Sequence, residues 1–176
     1  MHRLISALSL AVGLCCATAT VHALEVKTSF GSLNAPDSVK VVKREEKPDK
    51  SGVAVYSRTD DPKVVFIVVW NQVDPAKPYD VLDAAVKFGN PYDKKLTRDA
   101  ARPALVGGVE AGRYEGKLPD GLRSVSYVAV KSGYRLVVWL RAPEDSPYKE
   151  LTDAFAKGVE GFAWALPAEA AASAAQ

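Results

Sequence analysis

Residues 109–141 leave the chain little topological choice. They hold three segments rich in β-branched and aromatic residues, 109–117, 122–130 and 134–141, separated only by short clusters of turn formers. Parallel neighbours need a crossover of a dozen or more residues, and neither gap provides one. The three segments must therefore pair antiparallel, as a meander. Pro119, Asp120 and Gly121 supply the first turn, and Lys131, Ser132 and Gly133 read as a three-residue hairpin loop whose final glycine can take positive φ. In the last segment Tyr134, Leu136, Val138 and Leu140 point one way, Val137 and Trp139 the other. Apolar side chains on both sides of a strand call for cover on both faces of the sheet. Segment 64–70 makes the same demand, being apolar throughout.

The other elements fill in around this sheet. Segments 24–27 and 39–43 read as strands flanking a loop of Gly, Ser, Asn, Pro and Asp, and 44–52, charged and containing Pro48, as a solvated connection. Segment 53–57 pairs with 64–70 across Arg58, Thr59, Asp60, Asp61 and Pro62. Asp80 and Asp83 bracket the start of a helix whose apolar face is Val81, Leu82, Ala85 and Val86, and Gly89, Asn90 and Pro91 end it. Residues 94–101 continue as a second, polar helical piece as far as Pro103. Ser146 as cap and Pro147 at the first helical position open a closing helix. Its residues Tyr148, Leu151, Phe155, Val159 and Phe162 recur at three- and four-residue steps, a stripe that packs on the sheet. The tail 167–176 is alanine-rich and has no core-forming residues, which predicts disorder. The expected architecture is α+β, an antiparallel sheet sandwiched by helices, in one domain spanning 24–166.

The N-terminus limits the chemistry. Arg3 precedes an apolar stretch, 4–16, too short to cross a bilayer as a helix. Val21, His22 and Ala23 then place small residues where a signal peptidase needs them, so 1–23 reads as a cleavable signal peptide and the mature chain as periplasmic or secreted. Ala17, Thr18 and Ala19 form a second cleavage site. Acylation of Cys15 or Cys16 is the rival reading, opposed at Cys15 by the bulk of Leu14. Cleavage after Ala23 removes both cysteines, both histidines and the single methionine. A mature chain without imidazole or thiol has no Ser-His-Asp triad, no Cys-His pair and no His- or Cys-ligated metal site. No cofactor is expected. Stability must come from a packed core rather than disulfides, and roughly 140 residues suffice for one core and not for two. The formal charge of +2 falls to +1 when Arg3 is removed, with both signs mixed along the chain, so nucleic acid is not an expected partner.

Strands first, a helical middle, a glycine pair before a three-stranded meander and a final helix ending in aromatic residues resemble the α/β/α sandwich of PsbP-type proteins, with bacterial DcrB-type envelope proteins the nearest kind. The pieces that carry the resemblance are 105–111, 134–140 and 148–164. The resemblance implies a non-catalytic binding or accessory subunit. The metal-binding histidines described for plant members have no counterpart here.

Several residues are candidates for a site. Lys94, Lys95, Arg98 and Arg102 fall on roughly one face if 94–101 is helical, giving a basic patch suited to a phosphate-bearing lipid or an acidic partner; the alternative is a solvated face. Asp60 and Asp61, with Asp74 or Asp80 near, offer oxygen ligands for calcium but lack the spacing of an EF-hand, so a capped turn competes. Gly107 and Gly108 lack the Lys and Ser or Thr of a phosphate loop and read as turn residues. Trp70, Trp139 and Trp164 read as core. The whole reads as an exported, non-catalytic protein that contacts another component of the cell envelope, without spanning the membrane. Two alternatives stay open. One is a carrier of a small apolar or lipid molecule, which needs a cavity; the other is a carboxylate-dependent glycan hydrolase, which needs two converging acids, one with a raised pKa.

Overall fold

The structure, a computed structural model, describes residues 24–36, 39–145 and 147–167. The expected leader with Cys15 and Cys16, the Ser146 cap and the tail beyond Pro167 lie outside the described residues. In chain order the elements are β1 (Glu25–Thr28), β2 (Gly31–Asn34), β3 (Val39–Glu46), β4 (Gly52–Arg58), β5 (Val65–Gln72), α1 (Val81–Gly89), a single 3₁₀ turn (Arg98–Ala100), β6 (Ala101–Val106), β7 (Val109–Lys117), β8 (Arg123–Lys131), β9 (Tyr134–Ala142), α2 (Tyr148–Glu160) and β10 (Ala163–Trp164). A seven-stranded sheet has the order β3-β4-β5-β9-β8-β7-β6, and a three-stranded sheet the order β1-β2-β10. Every strand pair is antiparallel.

The meander forms where the turn signals place it, with one more hairpin than expected. Lys131 pairs with Tyr134, so the loop is two residues rather than three, and both Ser132 (φ 48°) and Gly133 (φ 76°) are left-handed. Two left-handed residues match the right-handed twist of the flanking strands. Gly107 (φ 55°) and Gly108 (φ 76°) repeat the device between Val106 and Val109. That second loop adds β6, in place of the continued helix expected over 94–101. Thr97 and Ala101 on either side of the 3₁₀ turn are extended, and Pro103 lies two residues into the strand.

Strand alternation assigns the two faces of the large sheet. Val128 and Val137 pack with Ala84, Ala85 and Val86 of α1 and with Tyr114 of β7. Their neighbours Tyr127, Ala129, Leu136 and Val138 join Leu151, Phe155 and Val159 of α2 in the main core. Successive side chains of a strand point to opposite faces, so the helices lie on opposite sides of the sheet. The second layer is mixed rather than purely helical: Val26, Phe30 and Leu33 of the β1-β2 hairpin and Phe162 after α2 belong to the same core as α2. The α+β antiparallel class therefore holds, and β10 pins the small sheet to the end of α2 through Ala163↔Ser32.

α1 is fastened by polar contacts as well as by its apolar face. The Asp80 carboxylate accepts hydrogen bonds from the backbone N–H of Leu82 (3.0 Å) and Asp83 (3.1 Å), the expected cap. The buried hydroxyls of Ser124 and Ser126 donate to the carbonyls of Gly89 and Ala85, each at 2.6 Å. Gly112 lets the helix come this close, since a Cβ there would lie 2.1 Å from the Val81 carbonyl oxygen. Ser126→Ala is expected to lower the unfolding free energy by about 1 kcal/mol, the usual worth of a buried neutral hydrogen bond, measured by urea denaturation. No change would show that apolar contacts alone seat α1.

The expected stripe on α2 is observed, with Leu151, Phe155, Val159 and Phe162 buried. Pro147 sits at the N-cap, one position before the first helical residue it was expected to fill. The expected loop 44–52 is shortened because β3 continues to Glu46. Being an edge strand exposed over nearly its whole length, β3 carries charge without cost, and charge there discourages pairing with another chain.

Candidate functional site

The basic residues singled out in the sequence do not form a helical face. Arg98 reaches the Asp80 cap of α1 at 3.3 Å, and Arg102, on β6, approaches Glu115 at 3.7 Å. Lys94 and Lys95 are exposed and have no ion pair among the described residues. Tyr92 beside them is 58% exposed. The four charges thus spread along a loop, a 3₁₀ turn and the start of an edge strand.

The carboxylates weighed as calcium ligands each serve their own turn. Asp60 pairs with Arg58, Asp61 accepts from the Lys63 N–H (3.0 Å), Asp74 from the Ala76 N–H (3.0 Å), and Asp80 caps α1. Among the described residues no three His, Cys, Asp or Glu side chains converge as a metal would need. Of the tryptophans, Trp70 is fully buried, Trp139 donates to the Ser124 hydroxyl, and Trp164 donates to the Val106 carbonyl while stacking on Phe30.

A charged cluster that the sequence reading missed lies on the α2 face. Arg113 and Glu115 on β7 point to the same side as Ala111, and Arg113 stands opposite Tyr127 on β8. The Arg113 Nε–H donates to the Tyr127 hydroxyl (2.9 Å) and its Nη2 to Glu115 (2.6 Å), while its buried Nη1 has no hydrogen-bond partner among the described residues. Arg123 approaches the same carboxylate at 3.5 Å, Tyr148 donates to it at 3.4 Å, and Arg123 lies over the Tyr148 ring. Three guanidinium groups therefore share one carboxylate. Beside them an open groove of about 620 Å³ runs between β6–β7 and α2, lined by Arg102, Arg113 and Tyr127 on the sheet and by Asp153, Ala156 and Glu160 on the helix.

Burial and neighbouring charges shift several groups of this cluster. Burial, and next the Glu115 charge, push the Tyr148 hydroxyl up to about 12. Burial likewise raises Tyr127. At Arg113 burial works to lower the pKa, but Tyr127 and Glu115 outweigh it and the net movement is upward. The carboxylates that shift, Glu25, Asp49, Asp60 and Glu144, all move down, each mainly through a side-chain hydrogen bond.

The fold, rather than the sequence, relates this chain to known proteins. No protein-family model matches it, and no curated protein does. Among solved structures, cyanobacterial PsbP (CyanoP) from Synechocystis superposes with a TM-score of 0.60 at 13% identity, over 87% of this chain and 98% of that one. LpqN of Mycobacterium tuberculosis, described as involved in cell envelope biogenesis, gives 0.48 at 22% identity over 82% and 92%. A protein of Bacteroides thetaiotaomicron gives 0.47 at 12% identity, over 72% of this chain and only 43% of that one. The resemblance to PsbP therefore holds at the level of the fold. Among the described residues no helix is long and apolar enough to cross a membrane.

Proposed function

We propose that the chain is an exported, non-catalytic binding or accessory module that docks onto another component of the cell envelope. The contact surface in this reading is the loop and edge-strand segment carrying Lys94, Lys95, Arg98 and Arg102. The observation that carries it is the state of Lys94 and Lys95, exposed beside an exposed Tyr92 and lacking any carboxylate partner among the described residues. Unpaired basic side chains beside an aromatic ring are the composition of a surface that meets an acidic partner. The PsbP-type fold supports an accessory role only as an analogy of architecture. The hydrolase alternative finds no support in the carboxylates, since those that shift move towards ionisation. The apolar-carrier alternative would have to use the open groove of about 460 Å³ between the start of α1 and β6–β7, lined by Val81, Leu82, Leu105 and Ala111.

Charge reversal tests this reading. The tagged mature protein, captured from its native envelope, is expected to retain a discrete partner at low salt. Lys94→Glu with Lys95→Glu should lower its recovery by about tenfold, mainly through slower association, while leaving the unfolding midpoint unchanged because both side chains are exposed. Equal recovery with the double variant would remove the segment from the contact surface.

A further inference from the structure

We infer that the groove between β6–β7 and α2 is a binding site for a short peptide with free termini, a zwitterion whose carboxylate meets the sheet wall and whose ammonium meets the helix wall. This goes beyond the docking role, and concerns the face of the sheet covered by α2. The walls carry opposite charge: Arg102 and Arg113 on one side, Glu160 with Asp153 on the other. Opposite charges facing each other across a partly buried cleft ordinarily close into ion pairs. Here none does. Arg102 and Arg113 both turn to Glu115, at 3.7 and 2.6 Å, and Asp153 pairs outward with Lys149 at 2.6 Å. Glu160 has no ion pair among the described residues, although its charge acts on the Tyr127 hydroxyl across the groove.

Three features hold the walls apart. The sheet wall is fixed by the Arg113 contacts to Tyr127 and Glu115. The helix wall is fixed at its C-terminal end, where the Glu160 carbonyl accepts the Gly107 N–H at 3.2 Å. Between them Phe155 wedges against Tyr127, with ring centroids 5.6 Å apart. The gap that results has the volume of an ordinary ligand site. A guest carrying one charge would satisfy one wall and be repelled by the other. A guest carrying both would complete the two half-pairs, and the small side chains of Ala104 and Ala156 in the lining leave room for a peptide backbone. Arg102 is the adaptable member, being exposed and only loosely held by Glu115, so it can turn to a carboxylate without uncovering a buried charge.

The test is an amide-resolved NMR titration with trialanine, N-acetyl-trialanine, which keeps only the carboxylate, and trialanine amide, which keeps only the ammonium. Trialanine should give saturable shifts at Gly108, Arg113, Thr152 and Ala156, and each blocked peptide should bind about tenfold more weakly, the loss of one charge pair. Glu160→Gln should weaken trialanine and trialanine amide but, because it removes a repulsive charge, leave N-acetyl-trialanine binding no weaker. Arg102→Gln should do the converse, weakening trialanine and N-acetyl-trialanine but not the amide. Lys94→Glu with Lys95→Glu should leave all three titrations unchanged, which separates this site from the docking contact at Lys94 and Lys95, with Arg102 common to both. Absence of saturable shifts, equal binding of the three peptides, or a weakening of N-acetyl-trialanine by Glu160→Gln would overturn the assignment.

Discussion

Phe155→Ala is expected to lower the unfolding free energy by about 3–5 kcal/mol, the cost of emptying an aromatic site in a well-packed core. Phe155 is 1% exposed and sits where α2 meets the sheet, its ring edge-on to Phe66 at 5.5 Å and tilted against Tyr127 at 5.6 Å. Only three side chains of α2 are buried, Leu151, Phe155 and Val159, and Phe155 is the largest of them. The described residues include no cysteine, so no disulfide among them holds the helix if that contact is lost. Against a total stability of roughly 5–15 kcal/mol, the deletion removes a large fraction. Phe155→Leu, which keeps most of the volume, should cost less than about 1.5 kcal/mol. Urea denaturation followed by tryptophan fluorescence measures both variants. A loss below 1 kcal/mol for the alanine variant would mean that the β1-β2 hairpin, not α2, seals this face.

The stripe that contains Phe155 was legible in the sequence because a thirteen-residue helix gives its period room to repeat. The meander was legible for a similar reason, since its strands are nine residues each and its turns are spelled out by glycine. β2 and β10 were not, being four and two residues long and stable only against each other and β1. β6 was hidden by Pro103. Counting from the two-residue loop at Gly107 and Gly108, Val106 and Val109 form a hydrogen-bonded pair and Pro103 falls at an outward-facing position of an edge strand. A missing N–H costs nothing there, so the residue that argued for a helix end was compatible with a strand.

The two candidate surfaces differed in the same way. Lys94, Lys95, Arg98 and Arg102 were conspicuous because they are close in sequence, and the helix that would have aligned them does not form. Arg113, Glu115, Tyr127 and Glu160 come from three elements and are joined only by strand register and the placement of α2. One sign was available: Arg113 and Glu115 occupy the same parity on β7 as the buried Ala111, so two charges had to lie under a covering layer. Recognising their partners required the register Arg113↔Tyr127, which composition does not encode.

Gly107→Ala is the substitution that should couple stability to the groove. Alanine at φ 55° costs about 1 kcal/mol for the left-handed backbone alone. Its Cβ would also lie 2.1 Å from the Phe162 carbonyl oxygen and 2.8 Å from the Trp164 ring, and such overpacking costs roughly 1–3 kcal/mol more. The expected loss is therefore about 2–4 kcal/mol. Gly108→Ala supplies the control. It has a similar φ of 76°, but none of the described residues lies within 4 Å of a Cβ built there, so it should show the backbone cost alone. The difference between the two variants measures how firmly 162–164 is packed onto the hairpin, by the stacking of Trp164 on Phe30 and its hydrogen bond to Val106. The same packing sets the position of Glu160, whose carbonyl accepts the Gly107 N–H. Gly107→Ala should accordingly shift Trp164 fluorescence and weaken trialanine binding, whereas Gly108→Ala should leave Trp164 fluorescence near the parent value. If the two variants were equally stable, the end of α2 would be free to move, and the groove would owe its width to Phe155 and Arg113 alone.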